Sequence, residues 1–441
     1  MPLSVSHAFL LSNARLIDTR FHIHYGRWVR FAEDTSTPAL LVQVRRSPLL
    51  LCSIFLIAVR HTTQELADQL APLLFEEARR LVSSALLDTP QPVEFFQAAL
   101  VLSLWSTTIG QTPLSIDSWL LTGYALQQGL ASSHFSGILH PEKEPNNTAD
   151  LDAWCLWNHI CIAHLQYCVG TRRQALLNQA QISRCVRLLE NDKMTNFEAR
   201  MAAEIKLYWI IYEKCCISPL DIAGTKNALR SWHQEWAALF DQPRAQFLEM
   251  GFHFAHLIAS SQALKSARAV IRGSILTEMV NLSKAIINLA METTDERTRH
   301  LTDHIYHIIT FSALTLCRLV HAYESKLRAA GHDIAALDEL VFRLVGWLRS
   351  IGLPCHAAHL LGDIVLAQFT KLRPAFRHVS TASYTTPRDM TGSHVNGLNL
   401  SNDQALPDDI TYMYPEFIFD ANTVADWPQW DMMLSDTDLP V

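Results

Sequence analysis

Apolar side chains recur with a helical period along most of the chain, from about residue 62 to residue 372. The segment 65–87 is typical, because its apolar residues favour one face and its charged residues lie together elsewhere. The same spacing predicts further helices near 92–107, 115–131, 149–168, 179–190, 196–214, 220–239, 244–265, 275–292, 295–328, 333–349 and 354–371. Because we find no alternating series typical of strands or hairpins, the pattern predicts an all-α body.

Local signals mark where several of these helices begin. Thr195 and Glu198 fit a capping box, in which each side chain binds a backbone N–H of the first turn. Ser115 is expected to cap the helix that follows it, and Ser218-Pro219 places a proline near another helix start. These signals predict helix boundaries as well as helix content.

The longest apolar run, Leu49–Val59, is too short to cross a membrane. It holds 11 residues between Arg46 and Arg60, whereas a membrane-spanning helix needs about 20. We therefore predict that this run is a buried core helix and that the chain has no membrane partner.

The net charge of −7 is distributed unevenly. All 36 basic residues lie within 1–388, together with 33 of the 43 acidic residues, so this part carries +3. The other ten acidic residues follow Arg388, and no Lys or Arg occurs among them. The overall charge excludes a chain that coats nucleic acid by bulk positive charge, and the negative excess lies entirely at the end.

The last part of the chain loses the helical period. Residues 373–409 are rich in Ser, Thr, Asn, Pro and Gly, which predicts a disordered linker. Residues 410–441, the acidic tail, alternate acidic residues with large apolar ones, a composition typical of acidic-hydrophobic activation segments. The alternative is that these side chains dock onto the helical body, since burial of each one is favourable by about 1.5–3 kcal/mol. The predicted contact residues are Tyr412, Tyr414, Phe417, Phe419, Trp427, Trp430, Met432, Met433 and Leu434.

Three sets of His, Cys and Asp share helical faces without the geometry of a metal site. Each set spans seven residues, about 10.5 Å along a helix at 1.5 Å per residue, whereas a zinc ion needs every donor about 2.0–2.3 Å away. The sets are Cys161, His164 and Cys168; His300, His304 and His307; and His356, His359 and Asp363. We therefore predict core or surface packing for them and no metal ligand.

Motifs for catalysis and for phosphate binding are missing from the sequence. No G-x-S-x-G elbow, P-loop or G-x-G-x-x-G pattern occurs, and only 15 of the 441 residues are glycine. The paired carboxylates Glu76-Glu77 suit a solvated helix face. We predict no catalytic and no cofactor-binding residue, so the chain is not expected to be an enzyme. An α-helical enzyme built from scattered residues stays as a minor alternative.

The basic residues include three isolated doublets, at Arg45-Arg46, Arg79-Arg80 and Arg172-Arg173. None is part of a basic helix, and such doublets usually lie on solvated faces or near the C-terminal ends of helices. They are weak evidence for contact with phosphate groups.

Five blocks of the sequence resemble a known family. The segment Arg45–Thr62 is an apolar helix that follows Ser-Pro and ends at Arg-His, and similar helical blocks follow at Ala98–Ala131, Leu156–Arg173, Arg200–Tyr212 and Trp232–Phe240. These blocks resemble the middle homology region of fungal zinc-cluster transcription factors. Within that family they look most similar to the subgroup that includes activators of secreted-protease genes, and the resemblance covers roughly 21–372.

The resemblance implies an organisation for the whole chain. An N-terminal extension or start of the helical region (1–43) would precede an all-α regulatory domain of the fungal middle-homology type (44–372). The linker (373–409) and the acidic tail (410–441) would follow. The expected fold class is therefore a multi-helix regulatory domain with a disordered acidic C-terminal tail.

One element of the family is missing from this sequence. The DNA-binding module of the family is a six-cysteine zinc cluster with C-x2-C-x6-C spacing, which none of the nine cysteines here forms. The odd cysteine count and the apolar surroundings of most of them suit reduced, buried thiols. We therefore expect no cofactor in this chain, and DNA contact only indirectly or through a missing N-terminal module.

The leading hypothesis is a nuclear transcription regulator that controls a gene set such as secreted proteases or a secondary-metabolite cluster. The helical body would be regulatory, and the acidic tail would recruit the transcription machinery or co-activators. The alternative is a co-regulator deficient in DNA binding, which acts through partner transcription factors. A homodimer is possible under either hypothesis.

Overall fold

A computed structural model describes most of the chain up to residue 376. The described residues are 21–31, 37–105, 108–109, 112–113, 116–139, 148–217, 221–266, 269–293, 296–354 and 356–376. The acidic tail, with its predicted contacts from Tyr412 to Leu434, lies outside the described residues, as does the linker beyond residue 376.

The described residues form sixteen α-helices. The helices are α1 (21–29), α2 (Thr37–Arg45), α3 (Pro48–Val59), α4 (Gln64–Ala85), α5 (Val93–Trp105), α6 (Ser118–Ala131), α7 (Ser136–Leu139), α8 (Thr148–Thr171), α9 (Gln179–Val186), α10 (Asn196–Ile211), α11 (Ile222–Glu235), α12 (Ala245–Ser266), α13 (Ala269–Glu292), α14 (Asp303–Ala329), α15 (Ile334–Arg349) and α16 (Ala357–Leu372). Short 3₁₀ turns lie at Ser133–Phe135, Arg187–Glu190, Ala237–Leu239 and Glu296–His300, and a π-helical turn at Tyr212–Ile217. The predicted all-α fold is confirmed.

The helices pack in two connected groups. In the first half of the chain, α3 packs against α4 and α5, and α8 lies between α5, α6 and α10. In the second half, α12, α13 and α14 pack in series, and α15 and α16 pack on α14. Contacts of α10 with α12 and of α5 with α14 join the groups. The largest side chains in the resulting core are Trp105, Trp154, Trp157 and Trp232.

The apolar run at Leu49–Val59 forms a buried helix, as predicted. The side chain of Ser47 caps α3 by accepting a hydrogen bond from the backbone N–H of Leu50, and Pro48 occupies the first turn. Eight of the 12 residues of α3 are buried. An apolar helix of this kind gains its stability from the neighbours that cover all its faces.

Only α14, among the described residues, is both long and apolar enough to cross a membrane. Of its most apolar stretch, 78 % is buried inside the protein. Since α12, α13, α15 and α16 pack against it, we interpret α14 as the central core helix.

The capping box of Thr195 and Glu198 at the start of α10 is confirmed. The prediction for Ser115 is wrong, because Asp117 caps α6 and accepts a hydrogen bond from the backbone N–H of Leu120. Asp117 directly precedes Ser118, the first residue of α6, which is the position from which a side chain caps the first N–H groups, whereas Ser115 is two positions earlier in the sequence. Ser218-Pro219 lies outside the described residues, and Asp221 caps the helix α11 that follows.

Two further boundaries differ from the predictions. The predicted helix 295–328 is interrupted, because the 3₁₀ turn Glu296–His300 ends before α14 begins at Asp303. A pair of two-residue antiparallel strands, Thr108–Ile109 and Thr112–Pro113, forms a small hairpin that the helical pattern did not reveal. Two residues in each strand are too few for alternation of side chains to show in the sequence.

Candidate functional site

A cavity of about 400 Å³ lies where α1, α8, α10 and α12 meet the segment that leads into α14. Its volume is within the range of roughly 300–1,000 Å³ that small-molecule sites occupy. Ile23 is 68 % exposed and lies on the wall of the cavity, so the cavity reaches the protein surface beside α1.

Two helices contribute matching stripes of side chains to the cavity. On α8 these are His159, Ile162 and Gln166, and on α10 they are Phe197, Arg200, Met201 and Glu204. Each set follows a spacing of three or four residues, which places its members on one helical face. Both stripes mix apolar and polar side chains.

Gln166 and Glu204 join the two stripes. The Nε2 atom of Gln166 donates a hydrogen bond to Oε1 of Glu204 at 3.0 Å. Burial raises the pKa of Glu204 to about 7, although the hydrogen bond from Gln166 and the charge of Arg200 both favour the ionised form. The carboxyl group therefore exchanges its proton near neutral pH.

Two buried acceptor atoms on the cavity wall lack a partner among the described residues. They are Oε1 of Gln166 and Nδ1 of His159, and the two residues are only 6 % and 2 % exposed. Burial, with the positive charge of Arg30, lowers the pKa of His159 to about 3, so its ring is neutral. Since the ring also makes a hydrogen bond to the backbone of Trp28 while Nδ1 has no partner, Nε2 carries the proton and Nδ1 is an acceptor.

Aromatic rings form the wall next to these acceptors. The ring centroid of Trp28 lies 5.0 Å from that of His159 and 6.1 Å from that of Phe197, and the last pair meets edge to face. The rings of His159 and Phe197 are 5.6 Å apart. The guanidinium of Arg27 lies 4.2 Å from the centroid of Phe197 and holds that ring in place.

Arg30 anchors α1, which carries Trp28, against the other helices. Its guanidinium binds Asp152 on α8 at 2.6 and 3.0 Å and Glu198 on α10 at 3.2 Å. Burial opposes ionisation of Glu198, but hydrogen bonds from Thr195 keep its pKa below the usual value. The ion pairs thereby fix the position of α1 on the cavity.

A network of polar side chains lies behind the cavity. The hydroxyl oxygen of Tyr25 is 2.9 Å from Nε2 of His61 and 2.8 Å from Nδ1 of His300, and His300 lines the cavity. A phenol donates one hydrogen bond, so one of these rings accepts and the other donates. The ring of His24 stacks on that of His300 at 3.7 Å. Trp105 fixes the same segment through a hydrogen bond from Nε1 to the carbonyl of Leu301 at 3.1 Å.

The sets of His, Cys and Asp singled out in the sequence lie in packing positions. His164 is hydrogen-bonded on both ring nitrogens, to Oγ1 of Thr122 and to the backbone N–H of Leu176, each at 3.0 Å. His304 contacts the hydroxyl of Tyr208, and His356 caps α16. Within the described part of the chain, no three such residues are placed to hold a metal ion.

The cysteines also do not suit a zinc cluster. Of the eight in the described residues, seven are buried. Burial raises the pKa of Cys52, Cys155 and Cys317 to about 12. Thiols that stay protonated at neutral pH are poor metal ligands, and these are dispersed over the body. The ninth, Cys355, lies outside the described residues.

Two of the arginine doublets are engaged within the chain. Arg79 and Arg80 bind Glu76 and Glu77 one turn away on α4. Arg173 binds Asp117 at 2.6 Å and lies over the ring of Trp119. None of these residues borders the cavity.

A family model described as the middle domain of the transcriptional activator of proteases prtT matches residues 11–372. The chain belongs to this family. The match confirms the predicted resemblance to fungal transcription factors, and the name indicates a transcription factor and not an enzyme. The matched range contains every helix that forms the cavity.

Named relatives agree with the family match. A protein of Schizosaccharomyces pombe named as an uncharacterized transcriptional regulatory protein is 26 % identical over 343 residues, which cover 74 % of this chain and 63 % of the relative. The transcriptional activator of proteases prtT of Penicillium rubens is 28 % identical over 299 residues, covering 67 % and 45 %. Its namesake in Aspergillus clavatus is 26 % identical over 298 residues, covering 67 % and 47 %.

This family member therefore spans between about half and three fifths of the length of these relatives. No solved structure matches the chain.

Reasoning from the sequence alone missed the cavity. Four of its polar residues, His159, Gln166, Arg200 and Glu204, lie within two of the blocks that carry the family resemblance, Leu156–Arg173 and Arg200–Tyr212. The only local signal is a polar residue within an otherwise apolar stripe, as at Gln166 and Glu204. Helical spacing cannot show whether such a stripe meets another helix or a cavity, because this depends on how separate helices pack.

Proposed function

We propose that this chain is a nuclear regulator of transcription that controls a gene set such as secreted proteases or a secondary-metabolite cluster. The observation that carries the proposal is the family match over residues 11–372, together with relatives named as transcriptional activators of proteases. In this proposal the helical body is the regulatory part. The secreted-protease genes are the first targets to examine, since the relatives' names refer to them.

The proposal assigns transcriptional activation to the acidic tail. Residues 410–441 contain no Lys or Arg, and acidic residues alternate there with aromatic ones. Mutual repulsion of the carboxylates keeps large apolar side chains accessible to a groove on a partner. The partner would be the transcription machinery or a co-activator.

The second candidate function is a co-regulator that acts through partner transcription factors. It is favoured by one observation, namely that the 441 residues contain no C-x2-C-x6-C spacing. The described cysteines are mostly buried. Contact with DNA would then depend on a partner, or on an N-terminal module that is not part of this sequence.

A reporter assay tests the assignment of activation to the tail. The whole chain is fused to an unrelated DNA-binding domain and compared with a version that lacks residues 389–441. We expect the deletion to abolish activation, and retained activation would refute the role of the tail. A matched pair of variants separates aromatic contact from charge: Trp427→Ala with Trp430→Ala should lose activation, whereas Asp436→Asn with Asp438→Asn should keep most of it.

Two measurements distinguish the main proposal from the second candidate. The first is a gel-shift titration of the purified chain with promoter DNA of secreted-protease genes. The second is the level of their transcripts, together with nuclear imaging, after removal of the gene. Altered transcripts without DNA binding by the purified chain would favour the co-regulator, and unaltered transcripts would refute control of these genes.

A further inference from the structure

Gln166 on α8 and Glu204 on α10 lie side by side on the wall of the cavity, joined by their hydrogen bond. Oε1 of Gln166 has no partner within the described part of the chain, and a buried acceptor without a partner is unfavourable. The group that fits here is therefore one that donates several hydrogen bonds.

A primary ammonium group has this chemistry, since it offers three N–H donors and a positive charge. The carboxylate of Glu204 would complement the charge. Trp28 and Phe197 add aromatic surface to the wall of the same cavity. A hydroxyl group or an amide would satisfy fewer of the acceptors.

Two positively charged side chains also border the cavity, one of them a turn earlier on α10 and the other in the turn before α12. Arg200 precedes Glu204 by four residues, about 6 Å along the helix axis at 1.5 Å per residue. A hydrogen bond from Nη1 of Arg200 to the carbonyl of Pro243, at 2.5 Å, directs the guanidinium toward the turn before α12. The exposed Arg244 lies next in that turn and also lines the cavity. Two guanidinium groups fit a carboxylate.

Apolar side chains cover the rest of the wall. Met201, Phe247, Leu248 and Ile305 come from α10, α12 and α14. Contact with them would favour a ligand that carries an aliphatic or aromatic side chain in addition to its two charged groups.

We propose that the cavity binds a small zwitterion with an apolar side chain, namely an amino acid or a short peptide that has a free amino group and a free carboxylate. The ammonium group would lie against Gln166 and Glu204, and the carboxylate against Arg200 and Arg244. This site does not depend on which genes the chain regulates, so its test is separate from that of the proposed function.

Other ligand classes fit the same wall less well. A phosphate would meet the Glu204 carboxylate, which repels anions. A neutral apolar molecule would leave Oε1 of Gln166 without a partner. A metal ion would have only two close oxygen donors, from Gln166 and Glu204, next to the positive charge of Arg200.

Calorimetric titration of the purified 441-residue chain tests the proposal through changes in the ligand. The probes are leucine, the dipeptide Leu-Leu, N-acetyl-leucine, which lacks the ammonium group, and leucine amide, which lacks the carboxylate. We expect leucine or Leu-Leu to bind, and each blocked form to bind at least about tenfold more weakly. Comparison of leucine with Leu-Leu distinguishes the free amino acid from the peptide as the ligand.

Protein variants assign the two ends of the ligand. Glu204→Gln should bring the affinities of leucine and N-acetyl-leucine close together but retain the preference for leucine over leucine amide. Arg200→Gln should have the opposite effect. The matched control is Glu76→Gln, at an exposed position on α4 outside the cavity, and it should leave all affinities unchanged.

Three results would overturn the proposal. They are the absence of heat with every probe up to about 10 mM, equal affinities for blocked and free forms, and an effect of Glu76→Gln as large as that of Glu204→Gln. Circular dichroism of each variant checks that it is folded. The comparison among ligands on the unmodified chain remains decisive even if a variant does not fold.

Discussion

Arg60 and Asp303 form a doubly hydrogen-bonded ion pair although 243 positions separate them along the chain. The Nη1–Oδ1 and Nη2–Oδ2 distances are 3.1 and 3.2 Å, and the two side chains are 2 % and 1 % exposed. Arg60 directly follows α3 and Asp303 begins α14, so the pair joins the two groups of helices. The pair gives a structural role to Arg60, which belongs to the Arg60-His61 step quoted for the family resemblance.

Removal of one partner of this pair should be strongly destabilising. Asp303→Asn leaves the Arg60 guanidinium buried without its counter-charge, and the loss from breaking a buried pair is about 3–5 kcal/mol. Urea denaturation followed by circular dichroism measures the change in free energy of unfolding. The matched control is Glu76→Gln, which breaks an exposed ion pair with Arg79 and should cost less than about 1 kcal/mol. Equal losses in the two variants would contradict a structural role of the buried pair.

Gly129 is expected to be intolerant of even a methyl group. A Cβ atom at this position would lie 2.7 Å from Cζ3 of Trp157, which is 1 % exposed in the core. Gly129→Ala should therefore destabilise the protein by about 1–3 kcal/mol, because the tryptophan ring cannot move away cheaply. The control is Gly346→Ala in α15, where nothing lies within 4 Å of the added atom. There the better helix propensity of alanine should stabilise by about 0.5–1 kcal/mol, and thermal unfolding of both variants should show shifts of opposite sign.

Much of the helical fold could be predicted from the sequence, because it depends on local patterns. The apolar run of α3 and the capping box of Thr195 and Glu198 are both local, and both are found in the structure. The helix predicted over 295–328 is interrupted at Leu301 and Thr302, where Trp105 binds the backbone of the segment before α14. That interruption depends on a contact with a distant helix, which periodicity does not contain.

For the same reason, the sequence does not predict the cavity. Gln166 and Glu204 meet because α8 packs beside α10, and Trp28 reaches His159 and Phe197 because Arg30 anchors α1. Each residue by itself is a polar position in a helix, which usually faces solvent. Their common environment arises only from packing of three helices that are distant in sequence.

Because several histidines are buried, we expect the protein to lose stability in acid. Burial lowers the pKa of His61, His304 and His356 to about 3, with nearby positive charge as a further cause. The unfolded chain binds protons on these rings near the ordinary pKa of 6.5, so stability is complete above that pH and decreases as the pH falls toward 3. The urea concentration at the unfolding midpoint, measured from pH 7.5 down to about 5, should decrease as the pH falls below about 6.5. A midpoint that stays constant over this range would contradict the burial of neutral rings.

We expect Glu204 to have the opposite effect from the histidines, namely to lower the stability of the folded chain as the pH rises. Its pKa is about 7 in the folded chain, against an ordinary value of 4.5, so the folded state holds a proton that the unfolded state releases. The resulting loss of stability grows as the pH rises from 4.5 to about 7 and is constant above it.

Glu204→Gln removes this titration and can still accept the hydrogen bond from Gln166, while Arg200 on the same helix is unchanged. The variant should therefore have a Tm higher by about 2–4 °C at pH 8 and equal to that of the unmodified chain at pH 4.5. Because both proteins contain the same histidines, the acid effect of those rings cancels in the comparison. A Tm difference independent of pH would mean that Glu204 is ionised in the folded chain throughout this range. A carboxyl group that lowers stability at neutral pH is the behaviour expected of a residue placed for a ligand, since natural sites sacrifice stability for binding.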